Sequence, residues 1–86
     1  MAQYKVEVKR TAAKELADLN PDLAKKILSA LEELASKPMP RQSKKLTASR
    51  NSYRLRIGDY RVLYQVDKRS KKVVVFAVGH RREIYK

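Results

Sequence analysis

Residues 53–64 read YRLRIGDYRVLY, and this stretch decides the fold of the 86-residue chain. From residue 52 to residue 57 apolar and basic side chains largely alternate, which is the period-two pattern of a β-strand with one buried face. Gly58 and Asp59 supply the backbone freedom of a two-residue turn, and residues 60–66 run back as a second strand. The stretch therefore predicts an antiparallel β-hairpin.

A two-residue turn also fixes which side chains face each other across the hairpin. Arg56 lies opposite Arg61 and Leu55 opposite Val62, and cross-strand partners share a face of the sheet. Arg54, two residues before Arg56, projects on the same side. Because like charges directly opposite one another destabilise a hairpin, three converging guanidinium groups indicate an anion-binding face. A solvated cationic face is the alternative interpretation.

The residues before the hairpin predict one strand and two helices. Residues 3–8 alternate between apolar and polar side chains, as in a half-buried strand. Thr11 can cap a short helix, and Asn20 followed by Pro21 has the pattern of the cap and first position of a second helix. Pro38 stops that second helix, since proline cannot continue it.

The remaining segments complete an α+β order. Residues 38–50 mix prolines, polar residues and cations and indicate a loop. Residues 68–71 (KRSK) predict a polar turn, and residues 72–78 are the β-branched run of a central strand. We therefore predict a single domain over residues 1–86 with the order β-α-α-β-β-β. In it, an N-terminal helical hairpin packs on one face of an antiparallel sheet.

The charge of the chain is strongly positive and unevenly distributed. Its 21 Lys and Arg residues exceed its 9 Asp and Glu residues, which leaves a formal net charge of +12. Residues 1–40 hold 7 basic and 6 acidic side chains, whereas residues 41–86 hold 14 basic and 3 acidic ones. Nearly all the excess thus lies in the second half. This concentration indicates a surface for phosphates, where displaced counterions drive binding.

Composition excludes several classes of protein. The chain has no cysteine and one histidine, which excludes a disulfide framework and the usual zinc sites, and we expect no cofactor. The longest wholly apolar run, residues 73–78, is far shorter than the roughly 20 residues that span a bilayer. Residues 1–10 lack the apolar core of a secretory signal. We therefore expect a cytoplasmic protein with no membrane partner.

Two side chains near the C-terminus, those of His80 and Tyr85, can move a proton. Arg81 and Arg82 extend the cationic region beside them. Whether His80 or Arg81 shares the face of Arg61 depends on the register across the preceding turn. Positive charge combined with proton carriers suits attack by an RNA 2′-hydroxyl on its own adjacent phosphate, which requires orientation, charge stabilisation and proton transfer.

Nearly the whole chain resembles the RelE/ParE toxin superfamily. The resemblance rests on YRLRIGDYRVLY, on Lys45-Leu46, on VGHR at residues 78–81 and on Tyr85. The tail HRREIY is similar to the ribonuclease branch. The resemblance implies a RelE-like microbial ribonuclease fold and a type II toxin that a cognate antitoxin holds inactive. It further implies that the released toxin enters the ribosomal A site and cleaves messenger RNA without a metal, meeting DNA only through the antitoxin complex.

The resemblance also implies roles for individual residues. Arg54 and Arg56 match positions that contact the RNA phosphates, and Arg61 matches an arginine that contacts the phosphate in the transition state. Arg81 matches an arginine that stabilises or protonates the leaving group, and Tyr85 matches the tyrosine that handles the 2′-hydroxyl proton. Because arginine stays protonated, neither Arg54 nor Arg56 is suited to act as a general base. We further expect RNA contacts from Lys44, Lys45, His80 and Arg82.

Two other functions fit part of the same pattern. A ParE-like inhibitor of DNA gyrase would share the fold and act by binding rather than by catalysis; the presence of Arg61, Arg81 and Tyr85 argues against it. A basic RNA-binding module without chemistry would need only the cationic face.

Overall fold

The structure is a computed structural model that describes residues 3–41, 43–46 and 51–80. Over these residues the chain forms two helices and five strands, which confirms the predicted α+β class. In chain order the elements are β1 (Lys5–Val8), α1 (Arg10–Ala17), α2 (Pro21–Leu34), β2 (Ser43–Lys45), β3 (Ser52–Ile57), β4 (Tyr60–Asp67) and β5 (Lys72–His80).

The strands form one mixed sheet in the order β1-β5-β4-β3-β2. The pairs β3–β4 and β4–β5 are antiparallel, as predicted; β2–β3, a pair that the sequence does not predict, is also antiparallel, whereas β1 pairs with β5 in parallel. Helix α2 returns the chain to the end of the sheet where β1 begins, and the N–H of Tyr4 donates a hydrogen bond of 2.7 Å to the Ala35 carbonyl there. The next strand, β2, runs opposite to β1, and three further reversals leave β5 running in the direction of β1.

Strand β2 lies inside the segment that the sequence predicts to be a loop. It pairs with β3 over three residues, with Lys44 opposite Arg54 and Lys45 opposite Tyr53. Three residues are too few for an alternating pattern to be recognised, so only the edge that β3 offers reveals this strand. Three other bounds also differ from prediction, and one of them is the end of β4, which lies at Asp67 rather than at residue 66. β1 begins at Lys5 rather than at residue 3, and β5 continues through Gly79 to His80.

The starts of the two helices differ in how they are capped. The Asn20 side chain accepts a hydrogen bond of 2.9 Å from the backbone N–H of Asp22, and Pro21 opens α2, as predicted. The prediction that Thr11 caps α1 is wrong, because α1 begins at Arg10 with Lys9 in the cap position and no side-chain cap. The N–H of Lys9 donates to the Val75 carbonyl at 2.8 Å, so the chain passes from the sheet directly into the helix.

Both helices pack on one face of the sheet and form the core with it. The buried helix residues are Ala12, Leu16, Ile27, Leu31 and Leu34, and the buried apolar strand residues are Leu55, Val62, Tyr64, Val66, Val73, Val75 and Val78. A β-bulge interrupts the β4–β5 register between Leu63 and Tyr64, where Phe76 is the extra residue of β5. Because of this bulge, Val75 and Val78 both face the core although they are three residues apart.

Tyr64 joins the core to the segment that follows α2. Its side chain is fully buried, and its hydroxyl donates a hydrogen bond of 2.9 Å to the carbonyl of Pro38. Its ring stacks on that of Tyr53 with the centroids 5.8 Å apart. Burial raises the pKa of the Tyr64 hydroxyl above its usual range, so the group stays a neutral donor. This bond fixes the path of the chain toward β2.

We expect Tyr64→Phe to lower the free energy of unfolding by about 1–2 kcal/mol, since the Pro38 carbonyl loses its donor while the ring and its packing remain. Urea denaturation followed by far-UV circular dichroism measures this difference. Tyr53→Phe serves as the matched control, because it removes a hydroxyl from the other ring of the same stack. An equal loss of stability in both variants would contradict the role assigned to the Tyr64 hydroxyl.

Candidate nucleic-acid interface

The β3–β4 hairpin brings arginines together as the sequence predicts. Arg56 pairs with Arg61, and Leu55 pairs with Val62, so the two arginines share the face of the sheet that lies away from the helices. Arg54 pairs with Leu63 and projects on that same face. The turn between the strands contains Gly58 at a φ of +60°, a left-handed conformation that favours glycine.

Strand β2 adds a lysine to this face. Lys44 lies opposite Arg54 and therefore projects with it, whereas Lys45 lies opposite Tyr53 and projects on the other side of the sheet. We call the four side chains on the side away from the helices the arginine face; its members are Lys44, Arg54, Arg56 and Arg61. The sequence predicts both lysines as phosphate contacts, and the structure separates them. Neighbouring residues of a strand project on opposite faces, so the sequence could have placed the two lysines on different faces only if residues 43–45 had been recognised as a strand.

The arginines of this face differ in their contact with solvent. Arg56 is exposed and Arg54 is half-buried, but Arg61 is only 9% exposed. Arg61 lies on β4, which has a strand on each side, so its backbone is held by the centre of the sheet. An arginine keeps its charge under these conditions. A largely buried, permanently charged group of restricted conformation is suited to stabilising negative charge that develops on a bound phosphate.

The structure places His80 away from the arginine face. Its pairing partner is Tyr60, and Arg61 pairs with Gly79, so His80 projects on the helix side of the sheet. There its ring meets the edge of the Tyr60 ring with the centroids 5.5 Å apart. His80 is therefore not beside Arg61, and the sheet itself separates the two side chains. The remaining predicted site residues, Arg81, Arg82 and Tyr85, lie outside the described residues.

A contact that the sequence does not predict covers the outer edge of β5. β1 pairs with β5 only as far as Val75, and a carboxylate oxygen of Glu15 on α1 accepts a hydrogen bond of 3.1 Å from the backbone N–H of Val78. Glu15 thus replaces one strand partner at an edge that would otherwise offer its N–H group to another chain. No pattern in α1 distinguishes Glu15 from an ordinary exposed acid.

The described residues hold neither a metal-binding cluster nor a membrane-spanning helix. Residues 3–41, 43–46 and 51–80 contain no group of three or more His, Asp or Glu side chains arranged to hold a metal ion. Over the same ranges neither helix is long and apolar enough to cross a membrane.

Comparisons with known proteins show that this chain, with its two-helix, five-strand fold and cationic sheet face, is a small toxin of the type II toxin-antitoxin class. Residues 6–85 match the family described as ParE toxin of type II toxin-antitoxin system, parDE. The chain is also 32% identical, over 98% of its length and 97% of that protein, to a relative named as toxin RelE1 in Methanocaldococcus jannaschii. The chain therefore belongs to the RelE/ParE superfamily and is a RelE-family toxin.

Solved structures of antitoxin complexes share the fold. The archaeal RelE-RelB complex from Pyrococcus horikoshii superposes with a TM-score of 0.84 at 28% identity, covering 96% of this chain and 99% of that one. The RelBE2 complex from Mycobacterium tuberculosis gives a TM-score of 0.79 at 30% identity, covering 92% and 99%. In both comparisons the coverage extends over nearly the whole fold.

We expect Arg56→Gln to raise the free energy of unfolding by about 0.5 kcal/mol, because it removes a like charge directly opposite Arg61. Added salt should shrink the gain, since Arg56 is exposed and its charge is screened. Urea denaturation at low and high salt measures both effects. Lys26→Gln, which removes one exposed charge from α2, is the control and should leave stability nearly unchanged. A gain no larger than that of the control would contradict the idea of opposed arginines.

Proposed function

We propose that this toxin is a ribosome-dependent endoribonuclease that cleaves messenger RNA in the A site and so inhibits translation. The observation that carries the proposal is the cross-strand pairing of Arg56 with the largely buried Arg61 on the side of the sheet away from the helices. An anion held between two arginines on one face of the sheet relieves the repulsion of their like charges. An RNA phosphate is an anion of the required kind, and arginine binds phosphate with two parallel hydrogen bonds.

The reaction that fits this site is an internal attack on the RNA phosphate. The ribose 2′-oxygen bonds to the adjacent phosphorus while the bond from phosphorus to the 5′-oxygen of the next nucleotide breaks. The 2′-hydroxyl gives up a proton, and the leaving 5′-oxygen gains one. Arg61 stabilises the added charge on the phosphate oxygens, while Arg54 and Arg56 hold the neighbouring phosphates. We assign the handling of the 2′-hydroxyl proton to Tyr85. We assign the stabilisation or protonation of the leaving 5′-oxygen to Arg81.

The proposed partners follow from charge and from the relatives. A formal net charge of +12 favours an acidic or amphipathic antitoxin that covers the cationic surface. The antitoxin complexes of the P. horikoshii and M. tuberculosis proteins support a cognate antitoxin for this chain. We further propose that the ribosome and messenger RNA are partners of this toxin and that it acts in the cytoplasm. It would meet DNA only through the antitoxin complex.

Inhibition of DNA gyrase is the second candidate function. The description of the matched family, which names the ParE toxin, favours it. A gyrase inhibitor would act by binding, so expression of the chain should block supercoiling of a plasmid while messenger RNA stays intact. Messenger RNA that is cut at ribosome-bound codons while supercoiling continues would exclude this candidate.

We expect Arg61→Ala to slow messenger RNA cleavage by about 10² or more, because one donor to the transition-state charge is lost. Primer extension on a messenger in a reconstituted translation system measures the rate. Arg61→Lys keeps the charge without the planar two-bond geometry and should recover only part of the rate. Lys26→Ala, on the far side of the molecule, is the control. Cleavage by Arg61→Ala at the native rate would remove the central residue of the proposal.

Tyr85→Phe should slow the chemical step while leaving RNA affinity nearly unchanged, because it keeps the ring and deletes only the hydroxyl. Single-turnover cleavage and equilibrium binding separate the two quantities. The upstream product should carry a 2′,3′-cyclic phosphate. An upstream product with a plain 3′-hydroxyl would exclude attack by the 2′-hydroxyl and with it the role of Tyr85.

A further inference from the structure

A second cationic site lies on the side of the sheet opposite to the arginine face. It is a cleft of about 350 Å³ between the β2–β3 edge and the turn that joins β4 to β5. Tyr53 and Val66 line it from the strands, and Lys45, Lys68 and Arg69 supply its cations. Lys45 reaches this side because it pairs with Tyr53, which faces the helix side of the sheet.

The single carboxylate of the cleft is already engaged in its own turn. A side-chain oxygen of Asp67 accepts hydrogen bonds from the backbone N–H groups of Arg69 and Ser70 at 3.0 and 3.2 Å. Hydrogen bonds from Ser70 lower the pKa of this carboxyl, so it remains ionised and keeps the turn ordered. The cleft still has three cations against one anion, and its ordered turn holds two of those cations, Lys68 and Arg69.

One residue of that turn, Lys71, has a left-handed backbone conformation. Lys71 adopts a φ of 54°, a left-handed conformation that a lysine takes at a cost of about 1 kcal/mol. A glycine would adopt it freely. The Lys71 carbonyl accepts a hydrogen bond of 2.8 Å from the N–H of Lys5, which ties the end of the turn to β1. Lys68 and Arg69 from this turn line the cleft together with Tyr53.

An aromatic wall among cations is the combination that single-stranded nucleic acid recognises. The Tyr53 side chain is half-buried, and Tyr64 stacks on it with the centroids 5.8 Å apart, which fixes its ring. Nucleobases stack on such rings regardless of sequence, while lysine and arginine hold the phosphates. A membrane surface would require an apolar patch to insert, and the cleft offers none beyond the buried Val66.

The cations of the two sites are continuous around the edge of the sheet. Lys44 and Lys45 are neighbours on the edge strand β2, one on the arginine face and one on the cleft side. Arg61 on β4 and Lys44 on β2 are two strand spacings apart across the sheet, about 10 Å, and are offset by two residues along the strands. A flexible single strand that leaves the arginine face can therefore bend around β2 and remain in contact with cations.

We propose that this cleft binds one nucleotide of single-stranded RNA outside the cleaved codon, with its base on Tyr53 and its phosphates on Lys45, Lys68 and Arg69. The identity of the strand as the cleaved messenger rests on the proposed function. The site itself is independent of cleavage. It makes the toxin read a longer segment of RNA than its catalytic residues alone would contact.

The test is binding of a fluorescent 2′-O-methyl hexanucleotide, which cannot be cleaved, to the isolated chain, measured by anisotropy as a function of salt. The combined change Lys68→Ala and Arg69→Ala should weaken binding about tenfold at 0.1 M salt. It should also reduce the slope of log affinity against log salt by about 1.4, since each phosphate contact with a single strand contributes about 0.7. The combined change Lys25→Ala and Lys26→Ala on α2 removes the same charge elsewhere. Equal effects of the two pairs would overturn the proposal.

Stacking is tested with hexanucleotides in which one base at a time is replaced by an abasic position. At one position the native chain should lose about tenfold in affinity, a loss within the range of base stacking on an aromatic ring. Tyr53→Leu should bind the intact and abasic strands equally well. This comparison within each protein is insensitive to a partial loss of stability. If Tyr53→Leu still discriminates against the abasic strand, or the native chain never does, the cleft is not a nucleotide site.

These measurements separate the cleft from the proposed reaction. Suppose that the chain cleaves messenger RNA normally and that the Lys68 and Arg69 changes do not affect binding of the hexanucleotide. The proposed function would then stand, and the cleft would be excluded as a nucleotide site. A chain that does not cleave RNA but binds the hexanucleotide through Lys68, Arg69 and Tyr53 would exclude the proposed function and retain the cleft.

Discussion

The two-residue turn at Gly58 and Asp59 is the constraint on which the rest of the molecule depends. It sets the register of β3 against β4, and a slip of one residue would move every side chain of a strand to the opposite face of the sheet. In the observed register Leu55 and Val62 enter the core. The same register forces Arg56 and Arg61 together on the other side, so the packing that stabilises the fold and the repulsion that prepares an anion site have one origin.

The parts of the fold that follow from local chemistry could be predicted from the sequence. Alternation and a two-residue turn define the hairpin and its arginine pairing, and Asn20-Pro21 defines the start of α2. What could not be predicted depends on partners distant in the chain. The short strand β2 exists because β3 offers it an edge. The side of the sheet on which His80 lies depends on a register that includes a bulge, which no local pattern reveals.

One face of the sheet forms the core with the helices, and the other face carries the arginine face. A chain of this size has a limited core, and here one face supplies it by packing against α1 and α2. The other face is then available for cations that would be intolerable inside the core without partners. The uneven charge of the sequence has its structural counterpart in this division, since β2, β3 and β4 carry the arginine face and belong to the basic half of the chain.

The extra residue in β5 has a consequence for how this protein can change in length. From Ala77 onward the pairing with β4 is regular again, and Phe76 is the residue that has no counterpart. A relative with one amino acid fewer at this point could keep the same partners for Ala77, Val78 and Gly79, with a regular strand in place of the bulge. The sheet can therefore tolerate the insertion or deletion of one residue at this position. Related sequences that differ in length there can still keep the glycine opposite Arg61.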